Sequence, residues 1–233
     1  MIKDGTRVIN KKGLLYVAEE GDKQSPVKFK PWLGDSFSAL YDFLMKRFVF
    51  PRQLDADQDR HYEILGNELK DVHNARVLEL ATGSGSVVRF LPTDNQYTGT
   101  DISPGLLRKA VKVLRRSGFQ ESACYVARAE DLPFADGCFD VLVCILALNF
   151  FCNADRAFEE LARVGTAGAM FFGCVPVPER IQRGNAISGT LYSEHELAEI
   201  CEANGFRFES IPHENGALLY FRAVLQQKAS SKL

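Results

Sequence analysis

From residue 76 onward the chain alternates short apolar runs with amphipathic stretches, and few folds accept that alternation. Residues 76–80, 97–101, 124–127, 141–146 and 170–175 read as strands. Between them a Gly-rich turn leads into a helix through Val88. Pro104 opens another helix, which Leu106, Leu107, Ala110, Val111 and Leu114 continue until Gly118. Further helices are expected over residues 155–164 and 193–204, the second closed by Gly205. Repeated βα units require a parallel sheet covered on both faces. The last two apolar runs, 206–211 and 218–224, are separated by only six residues. That is too short for a crossover helix, so one of these strands runs antiparallel. The expected fold is therefore α/β: a mostly parallel, seven-stranded sheet with an antiparallel last strand and helices on both faces.

The residues before this zone read differently. Arg7-Val8-Ile9 and Leu14-Leu15-Tyr16-Val17 flank Asn10-Lys11-Lys12-Gly13 as a hairpin. Ser36 can cap a helix carrying Phe37, Leu40, Tyr41, Leu44 and Phe48, which Pro51 would stop, and a second amphipathic segment runs from Asp57 to Leu69. Residues 1–75 are thus expected to form a hairpin and helical cap or lid. Residues 76–226 would form the main domain and 227–233 a polar tail. The formal charge of −2 offers no long-range attraction for nucleic acid. No apolar run approaches the roughly 18 residues of a membrane span. The six cysteines contain no C-x-x-C pair and the four histidines no metal-ligand spacing, so buried thiols and no metal site are expected. Without a signal-peptide core near Met1 the expected compartment is the cytoplasm. The alternative is the peroxisome, if the terminal Ser231-Lys232-Leu233 is read as an address in a eukaryotic source.

The first strand of the main domain leads into Glu79-Leu80-Ala81-Thr82-Gly83-Ser84-Gly85. Glycines placed there let the backbone approach a ligand closely. Val88 stands where a dinucleotide fingerprint would need its third glycine. Asp101, at the tip of the second strand, lies 18 residues beyond Gly83, where a carboxylate can accept both hydroxyls of a ribose. The alternative is that Asp101 or Ser103 caps the next helix. The acidic turn Ala129-Glu130-Asp131 after the third strand is suited to an adenine edge, with Leu132 and Phe134 packing beside it.

In order and spacing, these segments resemble the class I S-adenosylmethionine-dependent methyltransferases, in particular the small-molecule branch that includes quinone-biosynthesis methyltransferases. The resemblance rests on the glycine loop, on Thr100-Asp101-Ile102-Ser103-Pro104-Gly105-Leu106-Leu107, on Ala129 to Phe134 with Phe139-Asp140, and on Ala157-Phe158-Glu159-Glu160-Leu161-Ala162-Arg163-Val164. It implies a Rossmann-like domain that binds S-adenosylmethionine. Ala81, Thr82, Gly83, Ser84 and Gly85 would wrap its methionine part and Glu79 would hold its ammonium. Asp101 would take the ribose and Ile102 would pack on the adenine. Ala129 and Glu130 would lie at the adenine edge, with Leu146 on the floor near the methyl group. Arg128 stands where relatives carry an aspartate that accepts the adenine amino hydrogen bond; Arg has no acceptor, so Glu130 would substitute.

Methyl transfer needs positioning more than a protein nucleophile. Asn149 falls where this branch often has a histidine, and it cannot act as a base. Tyr41, next to Asp42, would close over the cofactor. Phe37, Phe43 and Phe48 would roof an apolar pocket, or simply pack the helix onto the sheet. His61 and Tyr62 are the nearby candidates for proton transfer. The expected activity is O- or C-methylation of a small apolar or aromatic acceptor. The alternatives are a catalytically silent cofactor-binding partner subunit and an NAD-dependent dehydrogenase.

Overall fold

A computed structural model describes residues 1–19, 22–26, 41–182 and 186–226, with the backbone alone for Glu19, Asp22–Pro26 and Tyr41. Ser36, Phe37 and Leu40 of the expected cap helix, and the tail with Ser231, Lys232 and Leu233, lie outside the described residues. The chain begins with β1 (Val8–Lys11), β2 (Leu14–Glu19) and β3 (Asp22–Pro26). Next come α1 (Tyr41–Leu44), a π-helical segment (Met45–Gln53) and α2 (Gln58–Leu69). The alternating part is β4 (Arg76–Leu80), β5 (Gln96–Asp101), α3 (Pro104–Ser117), β6 (Ser122–Val126), β7 (Phe139–Ile145), α4 (Ala154–Val164), β8 (Gly165–Pro176), α5 (Glu194–Ala203), β9 (Phe206–Asn215) and β10 (Leu218–Leu225).

Strands β4 to β8 run parallel, and β10 lies antiparallel between β8 and β9. The seven strands expected from the sequence are all present, but the sheet is larger. Nine strands follow the order β1-β2-β6-β5-β4-β7-β8-β10-β9, and β3 pairs with β2 outside that path. The extra strands come from the N-terminal hairpin. Lys12 and Gly13 both adopt positive φ (55° and 83°), the geometry that closes a two-residue hairpin turn. Leu15 and Tyr16 of β2 then pair in parallel with Tyr125 and Val126 of β6. The hairpin thus covers what would otherwise be an open sheet edge.

Local signals place most helix ends. Asp57 caps α2 by accepting from the Arg60 N–H at 2.8 Å, and Ser103 caps α3 by accepting from the Leu106 N–H at 3.2 Å. Gly118 ends α3 in the left-handed region, and Ser193 with Glu196 forms a reciprocal capping box on α5. Two helical expectations fail. After the glycine loop there is only a single 3-10 turn, Val87–Phe90. Its paired β-branched valines favour helix weakly, and Pro92 holds Leu91 extended. Pro51, in turn, does not stop its helix. The wide turns of the π segment carry the chain past it, with the Leu54 N–H donating to Val49 O at 2.9 Å.

The sheet is packed on both faces. Phe134, Phe158, Phe171, Phe206 and Phe221 dominate the side covered by α4 and α5. On the side covered by α2 and α3, Ile64, Leu65, Leu107, Tyr97 and Tyr220 pack together. Each such side chain contributes about 1.5–3 kcal/mol on burial. The β9–β10 turn also grips the residues between the π segment and α2. The Ala217 N–H donates to Leu54 O at 2.7 Å, and the Asp57 N–H donates to Asn215 Oδ1 at 2.8 Å. Gly216 sits at φ 57°, and a Cβ there would lie 2.1 Å from Asp55 O. Gly216→Ala is therefore expected to destabilise the protein by about 2 kcal/mol or more, from left-handed strain plus the backbone clash. Urea unfolding followed by circular dichroism measures it. An unchanged midpoint would mean that residues 54–57 can step back from the turn at no cost.

Candidate functional site

Strand order fixes where a ligand can enter. From β4 the sheet grows through β5 to β6 on one side, and through β7 to β8 on the other. Connections leave in opposite directions at β4 and β7, which opens a crevice beyond their carboxyl ends. Ala81 (φ 50°) and Gly83 (φ 57°) continue from β4 in left-handed geometry, and Leu146 (φ 56°) does the same from β7. For non-glycine residues this geometry costs on the order of 1–3 kcal/mol. At Leu146 it is held by an N–H bond to Cys174 O at 2.7 Å. Two cavities, of about 320 and 230 Å³, meet at this point and share Ala81, Gly83, Ile145 and Leu146 as lining.

The smaller cavity is lined by Asp101, Ile102, Ala129 and Glu130, the residues the sequence reading grouped for a nucleoside. Asp101 accepts from the Gly83 N–H at 2.9 Å and from the Ser103 N–H at 2.8 Å. Ser103, not Asp101, caps α3, so the carboxylate is directed to the glycine loop. Glu130 accepts from the Cys152 N–H at 2.8 Å and lies 3.5 Å from the Arg128 guanidinium, which also lines the cavity. Gly85 lines neither cavity. A Cβ there would stand 3.0 Å from the Ala110 Cα, so this glycine lets α3 approach the loop.

Glu79, Thr82, Ser84, His61 and Tyr62 line the larger cavity. Glu79 is buried, and the Tyr97 hydroxyl donates to its carboxylate. Burial pushes its pKa up to about 8, the nearby Asp101 charge adds to this, and the Tyr97 bond opposes it. Thr82 Oγ1 turns inward to donate to Glu79 O at 3.1 Å. Ser84 Oγ donates to Asp42 Oδ1 at 2.7 Å, fastening α1 to the glycine loop, and Lys109 lies 3.5 Å from the same carboxylate. The Tyr41 backbone lies in α1 beside Asp42; its side chain is outside the described part.

The roof of the larger cavity differs from the expected one. Phe43 and Phe48 are exposed (59% and 39%), whereas Met45 and Phe50 line the cavity. The π-helical winding changes which side chains face inward. His61 is buried with its Nδ1 2.9 Å from the Tyr220 hydroxyl, and burial lowers its pKa to about 4. Tyr62 lies under the Arg89 guanidinium, 5.1 Å from the ring centroid, and burial raises its pKa. Asn149 lines neither cavity; its Nδ2 donates to Ser188 O at 2.7 Å and so holds the 188–190 segment. Tyr220 and Asn215, which support His61, were not legible as site residues, because they lie more than 150 positions away and carry no local motif. Among the described residues no group of three or more His, Cys, Asp or Glu could hold a metal, and no helix is long and apolar enough to cross a membrane.

Residues 78–173 match the family described as methyltransferase domain. This segment is a methyltransferase domain, similar to those of S-adenosylmethionine-dependent methyltransferases. The chain is 33% identical over 98 residues to the demethylmenaquinone methyltransferase of Porphyromonas gingivalis, covering 40% of each protein. It is 26% identical over 138 residues to a ubiquinone/menaquinone biosynthesis C-methyltransferase of Geotalea daltonii, covering 56% of this chain and 59% of that one. The chain thus spans less than two thirds of the length of either relative. In fold it is similar to the crystal structure of an S-adenosylmethionine-dependent methyltransferase from Aquifex aeolicus, with a TM-score of 0.61 and 18% identity, over 85% of this chain and 100% of that one.

The crevice holds an acid, Glu79, with an unusual titration, and its sign is testable. A carboxyl whose pKa is about 8 in the folded chain but ordinary when unfolded stabilises the fold fully only below the ordinary value. That contribution declines as pH rises toward 8. Glu79→Gln should therefore gain stability relative to the parent between about pH 4.5 and 8. Urea unfolding at a series of pH values measures the difference. A difference that does not change with pH would mean that Glu79 is ionised throughout.

Proposed function

We propose that this chain transfers a methyl group from S-adenosylmethionine to a small apolar or aromatic acceptor, at oxygen or carbon, across the wall shared by the two cavities. The observation that carries the reading is that wall: Ala81 and Gly83 from one strand end, and Ile145 and Leu146 from the other, with an acid on each side. Asp101 suits the ribose hydroxyls, Ile102 the adenine face, and Ala129 with Glu130 the adenine edge. The buried Glu79, whose pKa burial raises to about 8, suits a cationic ammonium that would restore its charge. Ala81, Thr82, Gly83 and Ser84 wrap the methionine end, while Gly85 acts by letting α3 close behind the loop. Bound there, the cofactor supplies an electrophilic methyl on a sulfonium.

What the chain adds is position and dryness. Leu146 is held in its left-handed turn beneath the reacting centre. Met45, Phe50 and Ile145 give the acceptor side its apolar surface, within a lining that also carries Asp42, Lys46, Gln58 and Arg89. Residues 41–62 act as the cap, with Asp42 anchored on Ser84 and Tyr41 closing from the same helix. Quinone-directed methyltransferases among the relatives favour an aromatic acceptor and a carbon target.

Calorimetric titration with S-adenosylmethionine tests the cofactor half. Asp101→Ala is expected to weaken binding by about 1–3 kcal/mol, the usual cost of losing a charged hydrogen-bond partner. Asp101→Asn, which keeps an oxygen for the Gly83 N–H, should fall between. Near pH 7 the ammonium should also drive a proton off Glu79. The apparent binding enthalpy should then depend on the ionisation enthalpy of the buffer in the parent, but not in Glu79→Gln. Absence of binding by the parent protein would overturn the reading. Release of S-adenosylhomocysteine with phenol, catechol and hydroquinone acceptors tests the transfer step.

A further inference from the structure

We propose, on the reading that the larger cavity receives the acceptor, that His61 binds the acceptor there through its Nε2–H, donated to a carbonyl or phenol oxygen of the substrate. The network starts at Asn215, 158 positions from its partner Asp57. Its Oδ1 accepts from the Asp57 N–H at 2.8 Å, which fixes the orientation of the amide. Nδ2 is then the atom that donates to Asp57 O at 3.0 Å and to the Tyr220 hydroxyl oxygen at 3.2 Å. The Tyr220 oxygen is thus an acceptor toward Asn215, which leaves its single proton for another neighbour. Among the described residues its other hydrogen-bonding neighbours are His61 Nδ1, at 2.9 Å, and the Cys174 thiol. An imidazole nitrogen is a far better acceptor than a thiol sulfur, so the hydroxyl donates to Nδ1. An imidazole that accepts at Nδ1 carries its proton on Nε2.

His61 lines the larger cavity, and no described residue bonds to Nε2. The rings around the imidazole are those of Phe50 from the π segment, Tyr62 from its own helix and Tyr220 from β10, with centroids 5.1, 5.9 and 5.8 Å away. None of them supplies a charge that would protonate the ring, and burial holds its pKa near 4. The imidazole is therefore a fixed, uncharged donor held among aromatic rings, suited to an oxygen of the substrate. Tyr220 and Asn215 are positioning residues that set its tautomer.

Nitrogen-15 NMR of histidine-labelled protein tests this directly, with the His61 signals assigned by their loss in His61→Gln. Between pH 5.5 and 8 the parent should show a proton-bearing Nε2 and a bare Nδ1. Tyr220→Phe should lose that fixed tautomer. The second arm measures binding of α-tetralone, an aromatic ketone, against tetralin, its hydrocarbon analogue, in the presence of S-adenosylhomocysteine. His61→Phe should reduce the preference for the ketone about five- to tenfold and leave tetralin unchanged, as loss of one hydrogen bond requires. A bare Nε2 in the parent, or an unchanged ketone preference in the variant, overturns the proposal. Titration of S-adenosylhomocysteine alone reads the cofactor side separately, so failure there counts against the methyltransferase reading and not against the tautomer.

Discussion

The reversal of winding between β4 and β7 is the constraint on which the site depends. Parallel neighbours whose connections leave in opposite directions cannot have their carboxyl ends covered by the same crossover, so a crevice must remain. The backbone beyond those ends then takes left-handed geometry on both sides, at Ala81 and Gly83 and at Leu146. Asp101 ties the arrangement together, its carboxylate bridging the Gly83 and Ser103 N–H groups. That bridge fixes the glycine loop relative to the end of β5 before any ligand arrives. Such pre-organisation reduces what binding must later spend on ordering.

The order of strands and helices was legible because each signal is local. Apolar runs of the right length, Pro104 with Ser103, Gly118 and the Ser193–Glu196 pair all act within one turn of chain. The short gap before the last strand was likewise enough to imply its reversal, which the β8–β10 pairing bears out. The misses are tertiary. Nothing in Leu15-Tyr16 announces that it will pair with β6, since a hairpin reads the same whether or not it extends a sheet. The inward and outward faces of residues 43–50 depend on a π-helical winding that an assumed 3.6-residue period cannot supply. The one-turn 3-10 segment after Gly85 reflects Pro92 and a valine pair overriding the expected periodicity.

The site divides by origin. On the proposed reading the cofactor side is lined by residues from Ala81 to Cys152 in the smaller cavity and by Glu79, Thr82 and Ser84 in the larger one, all within the matched segment of 78–173. The acceptor side of the same reading draws on Asp42, Met45, Phe50, His61 and Tyr62, which line the larger cavity from before that segment. Its support comes from Asn215 and Tyr220 beyond it. The matched segment therefore contains none of Asp42, Met45, Phe50, His61, Tyr62, Asn215 or Tyr220. The acceptor side is also the part stitched by backbone contacts, through Gly216 against Asp55 and Ala217 against Leu54. A change in the β9–β10 turn would move α2, and His61 with it, relative to β4 while leaving the glycine loop untouched. On the proposed reading the choice of acceptor can alter through the last hairpin and the cap, with the methyl donor's seat held constant by the Asp101 bridge.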